Sequence, residues 1–494
     1  MAFSLAPVLS RFSLLLLCVA LTPGVFAGAG QDAYEDYRER GLLMEGDVAD
    51  YVSRVGQRVA AASGSTREFV FGVVDTGDVN AVAYADGHIF VFRGLLARLQ
   101  TEGQLAAVLG HEVAHVTQRH VPKQQTRQRL SGIGAWLLGA LLRNADLYYA
   151  AQEYSMAEIS GYGREAELEA DRFGAKYIGE AGYDPNEMYE VITILADESI
   201  FMREVYGRPP QYHGLFASHP RSDRRRFEMI QLGAGAVRDF DPEFEVGDLL
   251  EHIDGLAFGD LADEGVFRDQ RFYHAGLGVV MDFPEGWRTS NGRTVKSATA
   301  PHGSQTTITV EVRPIGEEEE DLEAEAYLRQ VLELAPSEGR PIVVDELPGY
   351  LAVMPRETAQ TAGAAGASAD GDGDTAAASA PAPRADTASR LVAVVLKDGF
   401  AYVFRGENRL ERFERDFVAA FSRTVASFRR MRRDDLQAAV TTRIALVEAA
   451  PEDTYEVLAR RAELGREGAD VLRLLNGDFP NGQPRAGDRV KIIE

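Results

Sequence analysis

Two kinds of hydrophobic pattern divide the chain. In the first half, short runs of aromatic and β-branched residues, Phe69–Val74 and His88–Phe92, predict strands among helical periodicity. Tyr51–Ala62 has the amphipathic spacing of a helix, and further helices are expected at about Thr101–His120, Arg164–Ala181 and Pro185–Tyr206. From about Phe267 onward, alternation takes over at Thr306–Val312, Ile342–Val344 and Leu391–Leu396. Lys397-Asp398-Gly399 is a hairpin signal before Phe400–Arg405. Phe413, Phe417, Phe421, Val425 and Phe428, spaced by four and three, then place one apolar face on a closing helix. The expectation is an α+β multidomain chain. A mostly helical unit with a small sheet spans residues 32–255, an α+β unit spans 265–431, and a small third unit spans 441–494 beyond the charged stretch Arg429–Asp435.

Three stretches break these patterns. Thr358–Ser389 holds no Val, Ile, Leu, Met or aromatic residue, so it buries too little surface to offset its ordering entropy and is expected to be a disordered insertion, 358–389. Leu130–Leu142 is apolar but shorter than the ~20 residues of a spanning helix. It reads as a buried helix or flap, or as an interfacial segment making peripheral membrane contact. At the N-terminus, Arg11, the apolar run Phe12–Leu21, Pro23-Gly24 and Val25-Phe26-Ala27 describe a secretory signal peptide, 1–27, cleaved after Ala27. Glu317–Asp321 reads as a solvated charge run leading into a helix.

Composition narrows the picture. The 494 residues leave room for two to four domains of ~100–200 residues. Lys and Arg number 52 against 76 Asp and Glu, a net charge of −24, which argues against a nucleic-acid partner. The single cysteine, Cys18, lies in the signal segment, so the exported chain forms no disulfide.

The chemistry concentrates at His111-Glu112-Val113-Ala114-His115. Thr101 and Gln104 form a capping box that starts this helix, and Leu105, Leu109, Val113 and Val116 make its apolar stripe. At 100° per residue the two histidines stand ~40° apart, one turn from each other, so their imidazoles can grip one metal ion at ~2.0–2.1 Å. Glu112, beside both, can take a proton from a water held there. The bland alternative is two unrelated surface histidines. A catalytic zinc wants a third protein ligand. Candidates lie in Gly163–Asp171, which carries Glu165, Glu167 and Glu169. Glu167 and Asp171, four apart, share a face and suit a ligand with a carboxylate behind it, Asp171 accepting the outer N–H of a ligand histidine. A solvated face paired with arginine fits Glu165 and Glu169, and pattern alone leaves Glu167 open between the two.

The HExxH pattern followed by Glu167-x-x-Ala170-Asp171 resembles the gluzincin metallopeptidases of family M forty-eight, over about Asp32 to Gly255. The resemblance implies that Glu167 is the third zinc ligand, one zinc per chain. Asn80-Ala81-Val82-Ala83 resembles that family's N-A-x-A segment beside the substrate edge strand, although Ala85 and Asp86 stand where the family has Pro and Gly. Ser218-His219-Pro220 with Arg225 resembles its T-H-P-x-x-x-x-R segment. By that likeness Arg225 supports the site, and His219 approaches the zinc either to stabilise the oxyanion or to occupy the open position. At the C-terminus, Pro451-Glu452-Asp453-Thr454, Leu475-Asn476-Gly477 and Gly487–Ile492 resemble a LysM module, a βααβ fold that often binds peptidoglycan, with Glu452 in place of a glycine.

The expected protein is therefore an exported, periplasmic zinc endopeptidase, with Glu112 as general base and unfolded or misassembled envelope proteins as substrates. The competing expectation is a chaperone or assembly factor with a latent metal site, anchored to peptidoglycan through residues 441–494.

Overall fold

The computed structural model describes residues 28–120, 164–205, 225–229, 247–292, 295–301, 305–355 and 389–494. The signal segment, Leu130–Leu142, the Ser218–Pro220 segment with His219, and residues 358–388 of the expected insertion lie outside the described residues. The chain forms two compact units. One joins the residues up to Phe258 with Arg443–Glu494, and the other is Gly259–Thr442. Among the described residues no helix is long and apolar enough to cross a membrane.

The first unit opens with α1 (Ala29–Glu39) and α2 (Asp47–Ala62). Three strands follow, β1 (Val70–Val74), β2 (Ala81–Ala83) and β3 (His88–Phe92), then α3 (Arg93–Arg98), α4 (Glu102–Thr117), α5 (Arg164–Glu180) and α6 (Glu187–Glu204). β3 is central, parallel to β1 and antiparallel to β2, which leaves β2 at the sheet edge. Ile89 and Val91 point into the main core with Val52, Val55 and Val59 of α2. Phe90 points to the opposite face, where Tyr34 and Tyr37 of α1 cover it. In the β2–β3 loop, the Asp86 carboxylate accepts from the N–H groups of Gly30 (2.8 Å) and Gln31 (3.2 Å) and so satisfies donors at the start of α1.

The expected one-sided stripe on α4 understates its burial, for every residue from Glu102 to Val116 is buried. A helix enclosed on all sides is a core element. Its start is held by Thr101 Oγ1, which accepts from Gln104 N–H at 3.0 Å. Gln104 Oε1 in turn accepts from Gln100 N–H at 2.7 Å, one residue earlier than a standard capping box places it. Buried Glu102 accepts from the hydroxyls of Tyr51 (2.6 Å) and Tyr183 (2.7 Å). α5 lies against α4 through paired glycines. A Cβ on Gly110 would meet Ile178 at 2.9 Å, and one on Gly174 would meet the His111 nitrogen at 3.0 Å. This close approach brings the acidic first turns of α5 beside the histidines of α4.

Of residues 441–494, expected as a unit of their own, Arg443–Glu494 share this core. β4 (Thr442–Glu448), α7 (Tyr455–Arg461), α8 (Gly468–Asn476) and β5 (Arg489–Ile493) have βααβ order, with β4 antiparallel to β5. Tyr455, Leu458, Leu472, Leu475 and Ile493 belong to one apolar cluster with Leu95, Leu96 and Leu105. Lys491 is fully buried and donates to the carbonyls of Ala97 (2.7 Å) and Leu99 (2.8 Å), while burial pushes its ammonium well below the ordinary lysine range. The physical reason for the single unit is apolar area. A module of about 50 residues buries little surface alone, and here it completes its core against α3 and α6.

The second unit carries a seven-stranded antiparallel sheet whose central strands are Ser389–Lys397 and Phe400–Asn408. Phe417 and Phe421 of the helix Glu414–Ser427 cover one face, and Tyr327 and Leu328 of the helix Ala324–Gln330 cover the other. Asp398 and Gly399 both have positive φ (49° and 77°), the conformation a two-residue hairpin loop needs. Ser389, expected at the end of the insertion, instead opens a strand, and its hydroxyl donates to Glu414 at 2.6 Å.

Candidate metal centre

His111 and His115, one turn apart on α4, bring their Nε2 atoms to 3.0 Å. Glu167, in the first turn of α5, places Oε2 3.5 Å from His111 Nε2 and Oε1 3.4 Å from His115 Nε2. Ligand bonds of ~2.0–2.1 Å at tetrahedral angles separate donor atoms by ~3.4 Å, so the three donors fit one zinc-sized ion. All three side chains are buried, and among the described residues they form a group able to hold a metal. Two imidazoles and a carboxylate suit zinc.

Behind His111 the site is charged and buried. Asp171 Oδ1 lies 3.0 Å from His111 Nδ1. Arg225, in the helical residues 225–229, grips Asp171 with two donors, Nε and Nη2, each at 2.6 Å. Its Nη1 stands 3.1 Å from Glu167 Oε2. Burial alone would lower the His111 pKa, but the Asp171 and Glu167 carboxylates outweigh it and hold the metal-free imidazole at about 9. Burial alone would raise Asp171; the charges of Arg225 and His111 win and hold it below the usual carboxylate range. A paired guanidinium is what allows the buried Asp171 carboxylate to remain ionised here.

Behind His115 stands a residue that the motif pattern does not mark. His120 Nδ1 lies 3.0 Å from His115 Nδ1, and His120 Nε2 lies 3.0 Å from Glu169 Oε2. α4 ends at Thr117, and Arg119 adopts φ 57°, a left-handed turn that folds His120 back over His115. A third histidine five residues beyond His115 was the available signal. Glu169, expected on a solvated face, is partly exposed and also bonded inward.

Glu112 is 1% exposed. With Val108, His111 and Arg225 it lines a pocket whose far wall is Met188, Val191, Ile192 and Leu195 of α6. Asn80 immediately precedes β2, with its carbonyl accepting from Phe92 N–H at 2.9 Å, and buried Ala81 opens the strand. The structure thus brings His111, Glu112, His115, Glu167, Asp171 and Arg225 together, with Asn80 and Ala81 at the edge strand. His219 lies outside the described residues.

Comparison with known proteins agrees with this geometry in kind. Residues 47–231 match the model of Peptidase family M48. The chain is 34% identical over 191 residues to a putative beta-barrel assembly-enhancing protease of Vibrio cholerae, covering 36% of this chain and 37% of that one. It is 28% identical over 198 residues to the beta-barrel assembly-enhancing protease of Escherichia coli, covering 37% and 38% respectively. Against the mitochondrial metalloendopeptidase OMA1 of Schizosaccharomyces pombe it is 33% identical over 162 residues, covering 32% and 48%. The matched span is thus less than half the length of each relative.

Proposed function

Because residues 47–231 are a zinc-metallopeptidase domain of family M forty-eight, we propose that the chain is an exported endopeptidase that cleaves unfolded or misassembled proteins of the cell envelope, with one zinc ion per chain. The observation that carries the reading is the set of donor distances among His111, His115 and Glu167, which matches a tetrahedral site with one position left over. Zinc, when bound, polarises the scissile carbonyl and lowers the pKa of a water molecule. Glu112, one residue from His111 and almost fully buried, takes the proton of the attacking water and passes it to the leaving amine. The apolar wall Met188, Val191, Ile192 and Leu195 receives a substrate side chain beside the scissile bond. An extended peptide adds to the outer edge of β2 through main-chain hydrogen bonds, a mode indifferent to most side chains and so suited to unfolded segments. The names of the Vibrio and Escherichia relatives, beta-barrel assembly-enhancing proteases, support substrates connected with β-barrel assembly.

The test compares the wild-type chain with Glu112→Gln on an unfolded outer-membrane β-barrel protein. Loss of a general base lowers the cleavage rate about 10²- to 10⁴-fold, and chelation of zinc abolishes the wild-type rate. Equal cleavage by both proteins, or by neither, overturns the reading and leaves the chaperone alternative.

The βααβ order of residues 442–493 supports a LysM-like module facing peptidoglycan. Its core is shared with the peptidase unit, so deleting it would damage both, and the suitable assay uses the full chain. Retention on purified peptidoglycan, displaced by soluble N-acetylglucosamine oligomers, is expected. Passage without retention removes the glycan assignment and leaves a packing role.

A further inference from the structure

We propose that His120 and Glu169 form a hydrogen-bond relay that sets the tautomer and ring plane of His115, and thereby the tightness with which the centre holds its metal. The inference rests on the reading of His115 as a zinc ligand. His115 turns Nε2 toward His111 Nε2 (3.0 Å) and Glu167 Oε1 (3.4 Å), so Nε2 is the ligating atom. A neutral imidazole that ligates through Nε2 carries its proton on Nδ1. That Nδ1 lies 3.0 Å from His120 Nδ1, which must then be the bare acceptor. His120 consequently carries its proton on Nε2, 3.0 Å from Glu169 Oε2, and an ionised carboxylate only accepts. Every proton along the path has one place. With the other tautomer of His120, two N–H groups would face each other at His115 and a bare nitrogen would face a carboxylate.

The placement of the three groups is specific. The rings of His115 and His120 meet edge-on, with centroids 4.9 Å apart and planes 74° apart. His120 is buried, whereas the Glu169 side chain is 42% exposed, so the relay runs from the metal donors to the surface of α5. Glu169 follows Glu167 by two residues and projects from another side of α5, which lets one helix supply a metal donor and, separately, the anchor of the relay. His120 touches neither substrate nor metal in this scheme; it is a positioning residue acting through His115.

The test measures zinc dissociation constants of the full chain by competition with a chromogenic chelator. His120→Phe keeps the ring volume and removes the acceptor, and is expected to weaken zinc about 10- to 100-fold. His120→Asn returns an acceptor oxygen toward His115 without the reach to Glu169, and is expected to recover about half of that loss on a logarithmic scale. At the partly exposed position, where folding is safe, Glu169→Leu is expected to cost about tenfold, and Glu169→Gln, whose carbonyl still accepts, about threefold or less. A role in packing alone would not separate Gln from Leu or let Asn recover binding. Zinc binding within twofold of wild type for both His120→Phe and Glu169→Leu overturns the relay. So does an equal loss for Gln and Leu at position 169. If His120→Phe fails to fold, the two Glu169 variants decide the matter. Wild type that takes up no zinc, or His115→Ala that holds it as tightly as wild type, instead defeats the underlying reading of the centre.

Discussion

The two histidines of the centre sit one turn apart on the same helix and are backed in opposite ways. His111 leans on Asp171, a fully buried carboxylate clamped by the two-pronged grip of buried Arg225. His115 leans on a second imidazole, His120, and through it on Glu169, whose side chain is partly in water. The difference shows how the same support for a ligand is solved at two depths. Deep in the unit a carboxylate stays ionised only beside a cation, so a dedicated arginine must be brought in from residues 225–229. Near the surface water does part of that work, and no buried arginine stands behind Glu169 among the described residues.

The largest test of that contrast is Arg225→Leu. It strands Asp171 and Glu167 as buried carboxylates without their guanidinium, and the metal-free protein is expected to lose about 3–5 kcal/mol in chemical denaturation. A loss below about 1 kcal/mol would mean that the deep side is not held by paired charge. A smaller effect is expected from Asp171→Asn, which keeps the shape and removes the charge behind His111. Zinc affinity should fall about 10- to 100-fold by chelator competition, through a route independent of Glu169.

The last test is the pH dependence. The folded pKa of metal-free His111 is raised to about 9, above the ~6.5 of an unfolded histidine. Its contribution to stability is therefore complete below about pH 6.5 and is lost as pH rises through about 9. Zinc must displace the same proton, so metal affinity rises across that window. Denaturation midpoints of the metal-free protein between pH 6 and 9.5 should decline, and Asp171→Asn should flatten the decline. An unchanged slope in that variant would place the source of the shift elsewhere.

Local chemistry was legible along the chain wherever spacing alone decides. Strand Phe69–Val74 became Val70–Val74, and His88–Phe92 was observed with the same bounds, because β-branched and aromatic runs bounded by turn residues have few alternatives. The turn at Asp398-Gly399 follows from two residues that tolerate positive φ. Choosing among Glu165, Glu167 and Glu169 was harder, since all three sit in one helical turn and a half. His120 escaped notice because its function depends on a left-handed residue, Arg119, that no propensity favours. The separate C-terminal unit dissolved for a similar reason: apolar positions in α7 and α8 announce that they will be buried, but not against what.

By itself, the order of residues determined that two imidazoles would stand ~40° apart on one helix with a carboxylate beside them, because 3.6 residues per turn is a property of the backbone. Only the tertiary structure decided what faces those imidazoles. Glu167 and Asp171 are far from His111 along the chain and reach it because α5 can close on α4 where neither Gly110 nor Gly174 has a side chain to hold them apart, and Arg225, further on in residues 225–229, reaches both carboxylates. Contacts between distant segments depend on how volume and charge are satisfied together in a shared core, and no periodicity along the chain encodes that.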